Sequence, residues 1–322
     1  MKNVRKFCKL FLLLLLATAS QISCQTSGSV SALPAGPRAF LLPETLKPGE
    51  PYVVAVAGYP NAPVRANLVL NGQKTGSGRF FDLGEKSAAK DSVYCAIMAV
   101  PSTSGAGSAV LTIETANGVL TEINVTVEAR QFPVETIALT AGMQDILTRP
   151  DPQKTREAEQ LWAILAKTGS DLYSDGNFIM PVNSTFQTSR FGTRRTYKYP
   201  NGRSSTSIHA GVDWRAPTGT PLWACAPGKV VLARQRIVTG NTVIIEHMPG
   251  VYSLYYHMNK ISVLEGNLVE TGSPLGEAGA TGFATGAHLH WEIRVAAENT
   301  DPASFLNGAV LDKEAILARM NQ

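Results

Sequence analysis

Strict alternation of polar and apolar residues from His288 to Arg294 constrains this chain more than any other stretch. A period of two is that of a strand, so His288, His290 and Glu292 share one face and Leu289, Trp291 and Ile293 take the core side. Some eighty residues earlier, His209-Ala210-Gly211-Val212-Asp213 places an imidazole and a carboxylate four apart. An extended backbone keeps those two on one face as well. All five histidines of the 322-residue chain lie between positions 209 and 290. A zinc centre open to chemistry takes three protein ligands and leaves a fourth position free, and His209, Asp213 and His290 supply such a set.

Length favours two compact units rather than one. Formal charge is +4, but Lys2, Arg5, Lys6 and Lys9 precede any acidic residue and leave the rest near neutrality, so nucleic acid is not an expected partner. The same basic residues precede Leu10–Ala17, an apolar run too short to span a bilayer. Residues 1–24 therefore read as a signal peptide, which implies export to a periplasm or cell envelope. Cleavage follows Ala19 or falls before Cys24. In the second case Cys24 would carry a lipid tether to the membrane, although Gln21 stands where a lipoprotein signal usually has an aliphatic residue. Cys95 and Cys225 read as two buried thiols rather than a bridge.

Residues 25–37, rich in Ser, Gly, Ala and Pro, form a tether. Residues 38–130 show short β-type runs with turn punctuation, Asn117-Gly118 marking a hairpin, which predicts an immunoglobulin-like sandwich of about seven strands. Residues 131–175 are expected to link, with a helix over 151–168 capped by Asp151, started by Pro152 and carrying an apolar stripe of Ala158, Leu161, Trp162 and Leu165. Residues 176–308 return to an antiparallel β pattern, with Phe178–Val182 as a first strand and Thr193–Ser207 as a basic loop. Arg190, Arg194, Arg195, Tyr197 and Tyr199 there are candidates to wall a substrate groove. A helix over Asp312–Met320, within residues 309–322, should cover an edge. The Gly276, Gly279, Gly282 series reads as turns, since no helix follows it.

His209–Asp213, Ala216–Pro221, Gly240–His247, Tyr255–Met258 and Gly279–Glu292 together resemble the lysostaphin-like, LytM-type zinc metallopeptidases, metallopeptidase family twenty-three. The resemblance covers about residues 178–302. It implies a mostly β chain whose C-terminal antiparallel domain is of the lysostaphin-like, duplicated hybrid motif type, with one Zn2+ per catalytic domain. His209, Asp213 and His290 would be the metal ligands, and His257 and His288 the two histidines that handle the water and the developing oxyanion, their roles undivided. His247 would be structural, and Glu292 either an acceptor behind the metal or a solvated strand residue. The implied activity is that of an endopeptidase hydrolysing peptide cross-links of bacterial peptidoglycan, with its stem peptides as partner. The alternative is a catalytically silent wall-binding protein that activates an amidase. Some relatives are latent, and Asn177, Asn183 or Asn201 could supply a blocking ligand.

Overall fold

The computed structural model describes residues 36–174 and 176–322. The expected signal peptide, Cys24 and nearly all of the tether lie outside the described residues. Nine strands fill residues 38–127: β1 (Arg38–Leu42), β2 (Thr45–Leu46), β3 (Pro51–Ala57), β4 (Arg65–Leu70), β5 (Gln73–Arg79), β6 (Phe81–Lys86), β7 (Ser92–Ala99), β8 (Gly107–Thr115) and β9 (Gly118–Val127). They form two sheets, ordered β1-β3-β7-β6 and β2-β9-β8-β4-β5. The expected hairpin joins β8 to β9, but its two turn residues are Ala116 and Asn117, and Gly118 opens β9 opposite Thr115 with φ of 123°.

Between the two sheets Tyr52, Val54, Val56, Ala96 and Met98 meet Leu68, Leu111, Ile113 and Val125. The alternate residues of the first sheet point the other way. Val53, Ala55, Cys95 and Ile97 join a second apolar cluster with Phe178, Phe191, Val212, Trp291 and Phe305 of the C-terminal half. Every residue of β3 is consequently buried. A strand covered on both faces reads as a continuous apolar run, and Tyr52–Ala57 has that pattern.

The expected linker holds more structure than its composition suggests: β10 (Val134–Ala138), α1 (Ala141–Thr148) and α2 (Pro152–Leu165). Asp151 caps α2 by accepting from Gln153 N, with Pro152 in its first turn. Leu161, Ile164 and Leu165 pack on Leu232, Ile244, Tyr252 and Leu254. Trp162 and Ala158, expected in that stripe, are instead exposed, Trp162 at 56%, and Ile164 takes a place on the buried face.

The remaining elements are β11 (Gln187–Ser189), β12 (Arg194–Lys198), β13 (Ser204–Ile208), β14 (Val212–Arg215), β15 (Pro221–Trp223), β16 (Gly228–Arg236), β17 (Gly240–Met248), β18 (Val251–Met258), β19 (Lys260–Ile261), β20 (Leu268–Val269), β21 (Pro274–Glu277), β22 (His288–Val295), β23 (Glu298–Thr300), α3 (Ala303–Leu306) and α4 (Lys313–Met320). The chain is mostly β. Its principal sheet runs β11-β14-β22-β18-β17-β16-β20, with β23 on β22, and the β15-β21-β19 sheet accompanies it. Two expectations need correction. Phe178–Val182 is not a strand; it makes only a bridge from Val182 to Leu222 and isolated bonds such as Ile179 N to Cys225 O. Thr193–Ser207 is not a loop. It is the hairpin β12–β13, onto which β10 adds in parallel register. Cys95 and Cys225 are free and buried. Asp312 caps α4, whose Ile316 and Met320 are buried.

Because β3 and β7 serve two cores at once, the halves should lose structure together. Ile97→Ala removes a side chain that is 2% exposed, at the junction, and should cost about 2–5 kcal/mol of unfolding free energy in urea. A single transition shifted as a whole is expected. Two transitions, of which one is unmoved, would contradict the shared core.

Candidate metal centre

Three neighbouring strands place the polar side chains. In the antiparallel pairing of β14 with β22, Asp213 lies opposite His290 and Arg215 opposite His288. Tyr256 on β18 lies opposite His290 from the other side. Leu289, Trp291, Ile293 and Val295 are fully buried beneath them, which fixes the register of β22 and so the aim of His290. His209 precedes β14 and is held by reciprocal bonds with the Gly192–Thr193 turn. Gly211 lets this segment approach β22, since a Cβ there would lie 2.2 Å from Trp291 O.

The hydrogen bonds fix the ring tautomers. His209 Nδ1 donates to the carbonyl of Arg190 at 2.8 Å, which leaves a lone pair on Nε2. His290 Nε2 donates to the Glu292 carboxylate at 2.9 Å, which leaves a lone pair on Nδ1. Those two bare nitrogens lie 3.0 Å apart, and Asp213 Oδ1 lies 3.0 Å from the first and 2.7 Å from the second. Three acceptors therefore converge in a site where each residue is under a tenth exposed. Such a cluster needs a positive charge at its centre. A proton is one answer: although burial opposes it, hydrogen bonds to Asp213 and Glu292 carry the His290 pKa up to about 9. Burial likewise opposes ionisation of Asp213, but the facing His209 and His290 rings, when they share that proton, hold it well below the usual carboxylate range. A metal ion is the other. Two imidazoles and a carboxylate, all with ligand atoms within 4.8 Å of one another, form a donor set that fits zinc.

Glu292 is not solvated. It is 3% exposed and, besides His290, accepts from Arg294 Nε at 2.7 Å. That pair orients the metal-facing ring from behind. Tyr256 stacks on the same ring, with centroids 5.2 Å apart.

His288 and His257 stand beside this cluster. Their Nδ1 atoms donate to Gly286 O and Thr281 O, both at 2.8 Å, so each retains an Nε2 lone pair. Their ring centroids are 5.0 Å apart, and His288 Nε2 lies 3.6 Å from Asp213 Oδ1. His257 has φ of 59°, a left-handed conformation that costs a residue with a bulky side chain energy and here turns its ring toward the site. Burial, together with the nearby His290 and His288, pushes its pKa down to about 3, so its ring stays neutral. His247 lies apart. It is fully buried, with Nδ1 2.7 Å from Pro227 O and Nε2 2.7 Å from Ser253 Oγ.

An open cavity of ≈ 260 Å³ lies over the cluster, walled by Glu135, Arg195, Tyr197, Thr239, Phe283 and Thr285. Of the basic and aromatic residues singled out in the sequence, Arg195 and Tyr197 reach it. Arg194 is turned away, bonded to Ser102 O and stacked over Phe132. Asn177, Asn183 and Asn201 do not line it. Glu135 was not foreseen: it comes from β10 in the supposed linker, and no motif there marks it.

The buried His247 makes stability depend on pH. Desolvation lowers its pKa from 6.5 to about 4, so the unfolded chain binds the extra proton between those values. Its contribution is full above pH 6.5 and is lost as pH falls toward 4. In chelator-treated protein, the stability advantage of wild type over His247→Asn should shrink by about 3 kcal/mol between pH 7 and pH 4. A difference independent of pH would contradict this assignment.

Residues 207–302 match the model of Peptidase family M23. The DD-carboxypeptidase/endopeptidase Mpg of Neisseria meningitidis is 37% identical over 137 residues, 42% of this chain and 31% of that protein. The peptidoglycan DD-endopeptidase ShyB of Vibrio cholerae is 37% identical over 142 residues, 41% of this chain and 32% of its own length. The matched segment thus spans about a third of each of these relatives. A solved structure described as a peptidase M23 from Pseudomonas aeruginosa superposes with a TM-score of 0.56 at 25% identity, covering 82% of this chain and 95% of that one. The motif resemblance, the family match and the likeness of fold agree: the chain carries a LytM-type peptidase family M23 domain.

Proposed function

We propose that this chain is a zinc metalloendopeptidase, exported or anchored in the envelope, that hydrolyses peptide cross-links of bacterial peptidoglycan. The observation that carries the reading is the set of three converging lone pairs with two further imidazole lone pairs beside it. His209, Asp213 and His290 would hold the ion. When bound, zinc supplies Lewis-acid polarisation and brings a water's pKa to about 7.

The chain's own residues supply the rest. Nε2 of His288 or of His257 accepts a proton from the attacking water and returns it to the leaving amine. The other ring faces the oxyanion of the tetrahedral intermediate and, protonated from solvent before the step, would donate a hydrogen bond to it, a role that the neutral His257 leaves to His288. Carbonyls at Gly286 and Thr281 fix both tautomers, so neither ring must reorient during turnover. Tyr197, Phe283 and the β10–β12 wall shape the groove in which an extended stem peptide would lie. The names of the relatives favour a D,D cross-link as the first bond to assay. A silent, amidase-activating role has less support, because no donor of the metal set is missing. Export through residues 1–24, attachment through Cys24 and residence in a periplasm or envelope belong to the same proposal.

Purified sacculi and defined muropeptides, with products identified by mass, test the reading. Wild type should release cross-link cleavage products, lose this activity on chelation and regain it with zinc. His209→Ala should lose both metal and activity. His257→Ala and His288→Ala should keep zinc but turn over ~10²–10⁴-fold more slowly. Undigested sacculi, or full activity without zinc, would contradict it.

A further inference from the structure

Asp213 has two carboxylate oxygens, and only Oδ1 faces the ring nitrogens of His209 and His290. Oδ2 accepts a hydrogen bond from Arg195 Nη2 at 2.9 Å. The same guanidinium donates to Ser189 Oγ at 2.8 Å and, through Nε, to Glu135 Oε2 at 3.3 Å. Ser189 Oγ in turn lies 3.4 Å from Glu135 Oε2 and 3.4 Å from His209 Nδ1. Strand register builds this group: Glu135 pairs with Arg195 across β10–β12, and Ser189 pairs with Asp213 across β11–β14. The Arg195 and Asp213 side chains are nearly enclosed, at 14% and 10% exposure.

A carboxylate with both oxygens free can swing between one-oxygen and two-oxygen coordination of a cation. A guanidinium bonded to one oxygen fixes the carboxylate plane and leaves the other to the cation. The guanidinium also brings a positive charge close to where a divalent ion would sit, and that charge opposes binding. Glu135 offsets it. Neither Arg195 nor Glu135 lies within the matched residues 207–302, and Glu135 comes from β10, ahead of residues 176–308 altogether.

We propose that Arg195, held and neutralised by Glu135 of β10, is a positioning residue that keeps Asp213 a one-oxygen ligand, making the upstream strand a working part of the metal centre. The proposal rests on the metal reading above.

The test measures zinc affinity of the full chain by competition with a chromophoric chelator, alongside the visible spectrum of the cobalt(II)-loaded protein. Arg195→Gln should weaken zinc binding roughly 10–100-fold and alter the cobalt band, because Asp213 is released. Arg195→Lys should recover part of the affinity. Glu135→Gln, on a half-exposed strand and without contact to Asp213, should weaken binding in the same direction but less. If Arg195→Gln or Glu135→Gln binds zinc as wild type does, with an unchanged cobalt spectrum, the positioning role is overturned even where stability falls. A wild type that binds no stoichiometric zinc overturns the metal reading itself, and this proposal with it.

Discussion

Three lone pairs pointed at one another across 2.7–3.0 Å are the constraint on which the rest of the centre depends. Left without a positive charge, His209 Nε2, His290 Nδ1 and Asp213 Oδ1 would repel one another in surroundings that water does not reach well. The protein meets that cost with rigid structure. Two outer acceptors, the Arg190 carbonyl and the Glu292 carboxylate, force the ring tautomers that leave the inner nitrogens bare. Glu292 is itself satisfied by Arg294. Removing either member of that buried pair would strand a charge, at a cost of about 3–5 kcal/mol.

Holding three such groups in place requires strands that cannot slip. β22 supplies this through four fully buried apolar residues on one face, while β14 and β18 fix it on both edges. The layer behind is stiffened by the N-terminal sheet, whose β3 and β7 are packed on both sides. The segment between the two halves then returns across the centre as β10, adds to the β12–β13 hairpin and places Glu135 and Ile137 in the cavity wall. What composition marks as connecting chain is, in the structure, one side of the groove.

Much of the centre was legible before any coordinates. The alternation His288–Arg294 needs only the period of a strand, and the confinement of all five histidines to one stretch needs only counting. Asp151-Pro152 acts through its own backbone chemistry, so it appears where the sequence puts it, and the β8–β9 hairpin falls within one residue of Asn117-Gly118. Other features escaped because they depend on non-local covering. Alternation gives the spacing of Glu292 but not whether its polar face meets water; the partners that bury it are gathered from β18 and from Arg294. Val134–Ala138 alternates weakly and has no buried residue of its own, and its parallel partner lies some sixty residues away. Phe178–Val182 reads as a strand from its apolar residues alone, yet it is irregular chain bonded to Phe305 O and Cys225 O, with Phe178 and Val182 buried and Ile179 41% exposed.

The central claim, that a cation completes these three donors, is tested most directly by X-ray absorption on the zinc-loaded full chain. A shell of nitrogen and oxygen at about 2.0–2.2 Å, with multiple scattering from two imidazoles and no sulfur, is the expected result. Sulfur scattering near 2.3 Å, or a single imidazole, would place the metal on other residues and contradict the account.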